Sequence, residues 1–486
     1  MSLLNNSKQY KIGTLEYTKA GLTALFLWLV WGDFCFVLME SVVPSILPLE
    51  LKGLGASNSM MGLILITVPM VINTILNPVV SFKSDRFRSR WGRRIPFMTM
   101  TMLPLVGSMV LLGFGKQIGF FLHGLLGSFL SQFTANEVAV GTIGVIMVVF
   151  SFFNSFINAV FWYLFNDVVP EVLMARWMSC FRTVSTLSAS IYNFFIFQFA
   201  ESHAVYIFLG GGVIYLLGFG FMCWKVKEGE YPPPPPFIDR KGGVWSGIKT
   251  FGVECHQFRH YILIYGLGVC MAGGYMAADP FTLFFYQSCG LNLHQIGIVR
   301  GTMLISFSLF ILASGWLADR YHPIRVVLAG LLLQVCVVLP VECIWLFFSV
   351  SPQVSFYLWM AIVIGLAAPA GSLIGILDPP LFMRIFPRER YGQFCSANAM
   401  WRSISLVVNG VLLGGFFDLL KPWTGEKGTY LWLPVWQWFF TATMLLVAWN
   451  LYRSWQRYGG DLHYQPPATD LPTGQLEGDK KEAVLS

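Results

Sequence analysis

Charge is what this chain is short of. Only 12% of its 486 residues are Asp, Glu, Lys or Arg, where a soluble globular protein carries about 25%. A water-facing surface of ordinary extent is therefore excluded. Paired cysteines are missing too. The nine cysteines, among them Cys35, Cys180, Cys270 and Cys395, form no C-x-x-C pair, and most stand inside apolar runs. They read as small buried hydrophobes, not as a disulfide framework or a metal site. There is no P-loop, no H-E-x-x-H and no His/Cys metal spacing, the seven histidines are scattered, and no soluble catalytic domain is appended. An integral-membrane enzyme or sensor finds no chemistry to stand on, and no cofactor is implied.

Apolar residues fill the gap. They make up 55% of the chain, and the mean hydropathy is +0.62. Runs long enough to span a bilayer, about 20 residues each, recur from 22–39 to 431–451. Backbone polar groups in lipid must be paired within their own segment, so such runs are helices. About twelve meet the criterion. The expected fold is all-α integral membrane, with about 12 transmembrane helices in two six-helix bundles. Basic residues orient it. The side that would hold both termini carries 25 of the 32 Lys and Arg. The other side has Lys52, Lys116, Lys421 and Lys427, while Arg182, Arg300 and Arg402 fall in or beside spans. The basic side is cytosolic, so both termini are expected there. The net charge of +7 is this same bias and calls for no nucleic acid. Residues 1–20 are polar with no apolar core, so no cleaved signal is expected. Short tails without an organellar signal point to a bacterial inner membrane.

A polar stretch, 225–259, divides the runs. It opens with Lys225, Lys227, Glu228 and Glu230 and passes through consecutive prolines at 232–236, which favour a stiff polyproline segment. At 244–258, Trp245, Ile248, Phe251 and Phe258 recur at helical spacing. That part reads as a helix lying on the membrane surface, with a plain solvated loop as the alternative. The segments on either side, 21–224 and 260–455, resemble each other. Gly55-Ala56-Ser57 with Gly62 returns as Gly290-Leu291-Asn292 with Gly297, 235 residues on, and Ser84-Asp85-Arg86 returns as Ala318-Asp319-Arg320, 234 on. Pro170 and Arg176 match Pro387 and Arg390 at offsets of 217 and 214. The shortfall lies in an outer segment, 115–140, where the second half has only the short 349–355. Two halves repeated in parallel are the plan of a transporter with alternating access. The polar ends, 1–20 and 456–486, are expected to be cytosolic tails, the second of them disordered.

The densest charge cluster runs over 83–96, between the second and third spans. Anchoring by the positive-inside rule explains most of it. Asp85 is the exception. A carboxylate among six basic residues, at a helix end, can pair with arginines and with a neighbouring helix N-terminus. Such a cluster, with Arg86, Arg93 and Arg94, can hold two bundles shut on the cytosolic side and release as they rock. Asp319 and Arg320, with Arg325 near by, are its thinner twin, and the matched Arg176 and Arg390 complete the gate set.

Polar groups inside the spans are few. Asp33 and Glu40 stand on one face of the first span, about two turns apart. Ionisable groups at membrane depth are costly and usually face a cavity, although Glu40 near the outer interface has the alternative of snorkelling. Asn154, Asn158 and Trp162 form a stripe on the fourth span, suited to a sugar platform or to helix–helix contact. Arg182 and Arg402, in the fifth and eleventh spans, need partners. Asp279, before Pro280 in the seventh span, and Glu342, in the ninth, are either carboxylates of the pathway or groups near the outer surface.

The stretch 84–97, Ser-Asp-Arg-Phe-Arg-Ser-Arg-Trp-Gly-Arg-Arg-Ile-Pro-Phe, resembles the signature loop of the glycoside–pentoside–hexuronide:cation symporter family. It is closest to the sucrose-transporter-like branch, within the major facilitator superfamily. Trp31-Gly32-Asp33-Phe34, Phe161-Trp162 and Val169-Pro170 extend the resemblance over most of the chain, apart from the tail and 115–140. The resemblance implies the major facilitator fold and transport of a sugar or glycoside. It implies that Asp33 accepts hydrogen bonds from sugar hydroxyls, a task suited to its two acceptor oxygens. By the same carry-over Trp162 stacks on the ring beside Asn158, Arg182 pairs with Asp33 and the sugar, and Arg402 stands near a basic position of the family. One departure concerns coupling. Sodium-coupled members carry aspartates on the second and fourth spans, where this chain has Asn73, Asn77 and Asn158. Neutral amides compensate poorly for dehydrating Na⁺, so sodium coupling is not expected. Proton coupling would fall to Asp33, Glu40, Asp279 or Glu342, and facilitated diffusion is the other course. A nucleoside, a carboxylate or a drug-like amphiphile on the same fold is the alternative cargo. The expected partners are a small-molecule solute, a proton and the bilayer, with the protein acting as a monomer.

Overall fold

The computed structural model describes residues 10–127, 129, 131–170, 173–231, 255–378, 380–387 and 391–467, without the side chains of Pro78, Ser81, Phe82, Asp85, Ala175, Arg176 and Leu462. Apart from a small hairpin, β1 (Lys11–Ile12) and β2 (Leu15–Glu16), the regular structure described is helical. The first half runs α1 (Lys19–Glu40), α2 (Val42–Gly53), α3 (Asn58–Gly62), α4 (Val68–Arg86), α5 (Ile95–Gly113), α6 (Gly115–Leu125), α7 (Ala135–Val168), α8 (Met174–Ile191) and α9 (Ala204–Lys225). The second begins with α10 (Arg259–Met271), α11 (Asp279–Ser288), α12 (Leu293–Tyr321), α13 (Pro323–Leu333), α14 (Leu339–Glu342) and α15 (Ile344–Phe347). It continues with α16 (Pro352–Ile362), α17 (Ala368–Ile374), α18 (Pro380–Ile385), α19 (Tyr391–Gly428), α20 (Leu433–Arg457) and α21 (Gly460–His463).

Proline chemistry explains how several of these pieces join. π-helical turns at Leu63–Thr67, Ala272–Met276, Gln334–Val338 and Val363–Ala367 stand just before Pro69, Pro280, Pro340 and Pro369. A proline ring clashes with the carbonyl four residues back. In each case that carbonyl lies in the widened turn, so the segment bends or bulges without ending. A fifth π turn, Tyr192–Ile196, has no such proline.

Among the described residues nine helical stretches are long and apolar enough to cross a membrane, ten when Arg259–Met276 and Asp279–Ser288, bent by 43°, are one span. The longest, Tyr391–Arg457, is two helices: the chain turns at Gly425, whose φ is 72°, before α20. The segment from α8 to Phe199 falls short on apolarity because it carries Arg182 and a run of Ser and Thr, yet it packs between α1 and α12. With these two, the twelve crossings expected from sequence are all accounted for.

The buried apolar core has an uneven shape. One cluster fills the first half and continues into the second through Ala272–Leu291, Trp345, Trp359, Leu413 and Tyr430. A separate cluster, from Tyr261 and Leu331 to Phe394 and Trp455, fills the opposite end of the second half, the end at which the described residues begin and finish. Among the described residues the halves therefore share apolar packing at the end remote from the termini and not at the terminal end.

One expectation needs correcting. The tail is ordered to Pro467: α20 runs to Arg457, α21 follows, and Tyr464 bonds His260 (3.1 Å) and the Ile385 carbonyl (2.9 Å) while Arg325 pairs with Asp461 (2.6 Å). Aromatic and charged anchors hold a segment whose composition alone looks disordered. Residues 232–254, with most of the expected surface helix, and 468–486 lie outside the described residues.

Candidate solute site and gates

The first-span carboxylates do share a face, and it turns towards α7 and α8. Asp33 is buried at 1% exposure and accepts a hydrogen bond from the Ser185 hydroxyl (2.7 Å). Ser188 donates to the Phe34 carbonyl (2.8 Å), fixing α8 against α1. Arg182 and Glu40 both lie within electrostatic reach of Asp33. Two turns on, Glu40 accepts from the side-chain amides of Asn154 (3.5 Å) and Asn158 (3.3 Å), so Glu40 is held between helices and does not snorkel. The amide oxygen of Asn154 is buried without a partner.

The Arg182–Asp33 pairing implied by resemblance is not formed as an ion pair. Ser185, one turn along α8, takes the aspartate, and the Arg182 guanidinium lies over the Trp162 ring at 5.6 Å. Trp162 is wedged edge-on against Phe165 and Phe181 at 5.9 and 5.2 Å and remains 36% exposed. Its open face is thus occupied by a cation. The stripe divides in use: Asn154 and Asn158 serve Glu40, and Trp162 serves Arg182.

The remaining predicted groups are spread out. Asn73 and Asn77 lie on α4, and the Asn77 amide oxygen is buried with no partner. Arg402 pairs closely with Asp378 and touches the Met276 sulfur (3.5 Å), all within the second half. Glu342 lines a cavity of about 260 Å³ with Tyr275, Gln334, Trp359 and Gln437. Asp279 is exposed in the first turn of α11.

At the terminal end, two anions that organise the arginines are ones sequence reasoning missed. Asp167, at the end of α7, takes Arg93 (2.9 Å) and Arg94 (3.1 Å), and Arg94 also bonds Ser84. Glu228, just past α9, accepts the backbone amides of Arg93 (2.9 Å), Arg94 (2.8 Å) and Ile95 (2.6 Å). A helix start leaves such donors unpaired and favours negative charge. Tyr231 donates to Glu228 (2.9 Å) beneath the Arg93 guanidinium, 4.2 Å from the ring. Burial, reinforced by Glu228 and Asp167, pushes the Tyr231 phenol up and keeps it a donor. Gly92 is required here: its φ is +102°, and a Cβ would stand 2.4 Å from the Glu228 carboxyl carbon. Asp85 lies in the last turn of α4 with its side chain outside the description, as is that of Arg176, and Arg390 is not described. In the second half Asp319 pairs with Arg384 (3.0 Å), and Arg320 lies over Trp316 and Tyr321. The ion pairs described at this end each stay within one half.

The opposite end is different: here the halves lock together. Asp418, on α19, accepts from Asn58 N (3.0 Å) and Nδ2 (2.9 Å) and from Ser59 N (2.8 Å) and Oγ (2.6 Å). It caps α3 from across the molecule. Lys52 pairs with Glu426 (2.9 Å), and Thr67 donates to the Val407 carbonyl (2.8 Å). Two glycines set the spacing. A Cβ on Gly62 would sit 1.9 Å from the Gly410 carbonyl oxygen, and one on Gly297 would sit 2.2 Å from that of Asn193. These are the repeat-related glycines, so the seam has the internal symmetry of the chain.

A family model described as the Major Facilitator Superfamily matches residues 29–409. Among solved structures, the bacterial homolog of the human lysosomal transporter Spinster, inward-facing and occupied, superposes with a TM-score of 0.65 at 12% identity, covering 93% of this chain and 100% of that one. The inward-open xylose transporter XylE of E. coli gives 0.60 at 13% identity, covering 94% and 99%. The nucleoside transporter NupG gives 0.58 at 12%, covering 88% and 98%. No curated protein matches the chain in sequence.

Proposed function

The chain belongs to the Major Facilitator Superfamily, and from that premise we propose that it carries a sugar or glycoside across a membrane by alternating access, coupled to protons and not to sodium. The observation that supports this most is the meeting of Asp33 and Ser185, Glu40 with Asn154 and Asn158, and Trp162 under Arg182, on three neighbouring helices. Hydroxyl-rich solutes need paired acceptors, amide donors and an aromatic face. In this reading Arg182 swings from Trp162 to the solute and Asp33, freeing the indole to stack. The stretch 84–97 supports the glycoside–pentoside–hexuronide:cation branch, and the reading takes both termini as cytosolic, the membrane as a bacterial inner membrane and the working unit as a monomer. The state described is then inward-open, closed at the seam of Asp418 and Gly62. Asn73, Asn77 and Asn158 supply no negative charge to a sodium ion, which leaves Glu40 and Glu342 as carboxyl groups facing no described cation.

A nucleoside is the second reading. The exposed Trp162 ring, backed by the buried Phe165 and Phe181, suits a base as well as a sugar ring, and NupG is a nucleoside transporter. The test is uptake into vesicles over a panel of sugars, glycosides and nucleosides, with imposed proton or sodium gradients. Sugar uptake that rises with an inward proton gradient and vanishes in Asp33→Asn is expected. Uptake that follows sodium at fixed pH, or nucleoside uptake without sugar uptake, would overturn the assignment.

A further inference from the structure

A groove of about 450 Å³ opens at the terminal end between α5, α9 and the chain leaving α9. Its rim carries Arg90 and Lys227, both exposed, and the indoles of Trp91 and Trp224, each 70% exposed. Glu228 also lines it, but its oxygens are taken up by three backbone amides and Tyr231. No ion pair to a described carboxylate holds Arg90 or Lys227. Two apolar stripes lead from the groove along the helices: Trp224, Phe221, Leu217 and Val213 on α9, and Met100 and Leu103 on α5, all between 50% and 74% exposed. Indoles at a span end, cations beside them and lipid-facing apolar stripes behind are the three parts of a phospholipid site.

We infer that this groove binds an anionic phospholipid of the leaflet on the terminal side. Its phosphate lies between Arg90 and Lys227, Trp91 and Trp224 sit at head-group level, and the acyl chains follow the two stripes. The site has a consequence for the gate. Lys227 and Glu228 are adjacent, so a head group joining Lys227 to Arg90 ties down the segment whose glutamate caps α5 and steadies Arg93 and Arg94 on Asp167.

The test uses the full chain in vesicles of phosphatidylcholine with or without phosphatidylglycerol, followed by native mass spectrometry of retained lipid. Two basic contacts predict roughly tenfold to thirtyfold preferential retention of phosphatidylglycerol, lost in Arg90→Gln with Lys227→Gln. Lys227→Gln alone, at an exposed position, is expected to lose part of it, which keeps the test decisive if the double variant misfolds. Equal retention of both lipids by the wild type, or unchanged retention in a folded variant, would overturn the proposal. So would displacement of the lipid by inorganic phosphate at moderate concentration, which would make this a soluble-anion site. None of these outcomes depends on the solute carried.

Discussion

Replacing Asp418 by alanine is expected to open the end of the molecule remote from the termini. The carboxylate accepts four hydrogen bonds from Asn58 and Ser59, and a bond to a charged acceptor is worth about 1.5–3 kcal/mol net. Four bonds to one half-buried group do not add, so about 3 kcal/mol is the working figure for the set. All of that stabilisation belongs to the closed seam, because donors and acceptor lie in different halves. Once the seam opens, water reaches the freed amides of α3, so no desolvation cost survives to oppose opening. A differential of about 3 kcal/mol moves a two-state ratio about 150-fold. Spin labels at Met60 and Leu419, both exposed beside the seam, report the separation once the exposed Cys180 and Cys336 are replaced. The D418A sample should show a longer second distance, absent or minor in the parent. An unchanged distance distribution in a folded D418A protein would refute the cap as the element that holds this end shut.

Gly92→Ala should lower the thermal unfolding midpoint in detergent, since a left-handed φ costs an L-residue about 1–2 kcal/mol and the added Cβ overlaps Glu228. Glu228→Gln should reproduce only part of that loss. Trp162→Ala should weaken solute affinity about tenfold by removing a stacking face, while leaving the melting temperature close to wild type; the reverse pattern in calorimetry and thermal melts would make it a packing residue. Glu40→Gln should retain solute exchange between vesicle faces but lose accumulation driven by a proton gradient, and normal accumulation would remove Glu40 from coupling.

The architecture was readable because a bilayer imposes long apolar runs and a basic bias whatever the cargo. The repeat was readable too, and its glycines carried more information than their spacing revealed. Gly62 and Gly297 matched in sequence, but only packing shows each meeting a carbonyl of the other half, at Gly410 and Asn193. Asp33 and Glu40 were legible because a carboxylate in an apolar run has few innocent explanations. Asp167 and Glu228 were not, since each stands at a span end where carboxylates are ordinary. Glu228 even follows two lysines in what reads as the start of a linker. What makes it a cap is the start of α5, 133 to 135 residues away in sequence. The contact Arg182 makes in the state described was hidden for a related reason. Charge complementarity favours Asp33, but the shorter Ser185 sits one helical turn along, nearer the carboxylate, and leaves the guanidinium to the indole.

The two ends of the molecule use different physics. At the seam, helices approach to backbone contact through glycine, and the carboxylate that caps α3 has backbone amides among its donors, so closure there depends on shape. At the terminal end the described ion pairs remain inside each half, and the halves have separate apolar cores. Closing that end must therefore exchange some of these pairs for new contacts between opposite charges across the halves. Asp167 and Glu228 already neutralise part of one surface, and Asp319 and Asp378 part of the other. Contacts of this kind are screened by salt when exposed, as is the Lys52–Glu426 pair across the seam, whereas the backbone approach at Gly62 and Gly297 is not. Rising ionic strength should accordingly favour the state described, closed at the seam and open at the termini, and the Met60–Leu419 distance distribution should narrow towards its shorter component as salt is added. Broadening with salt would mean that charge, not close packing, holds the seam.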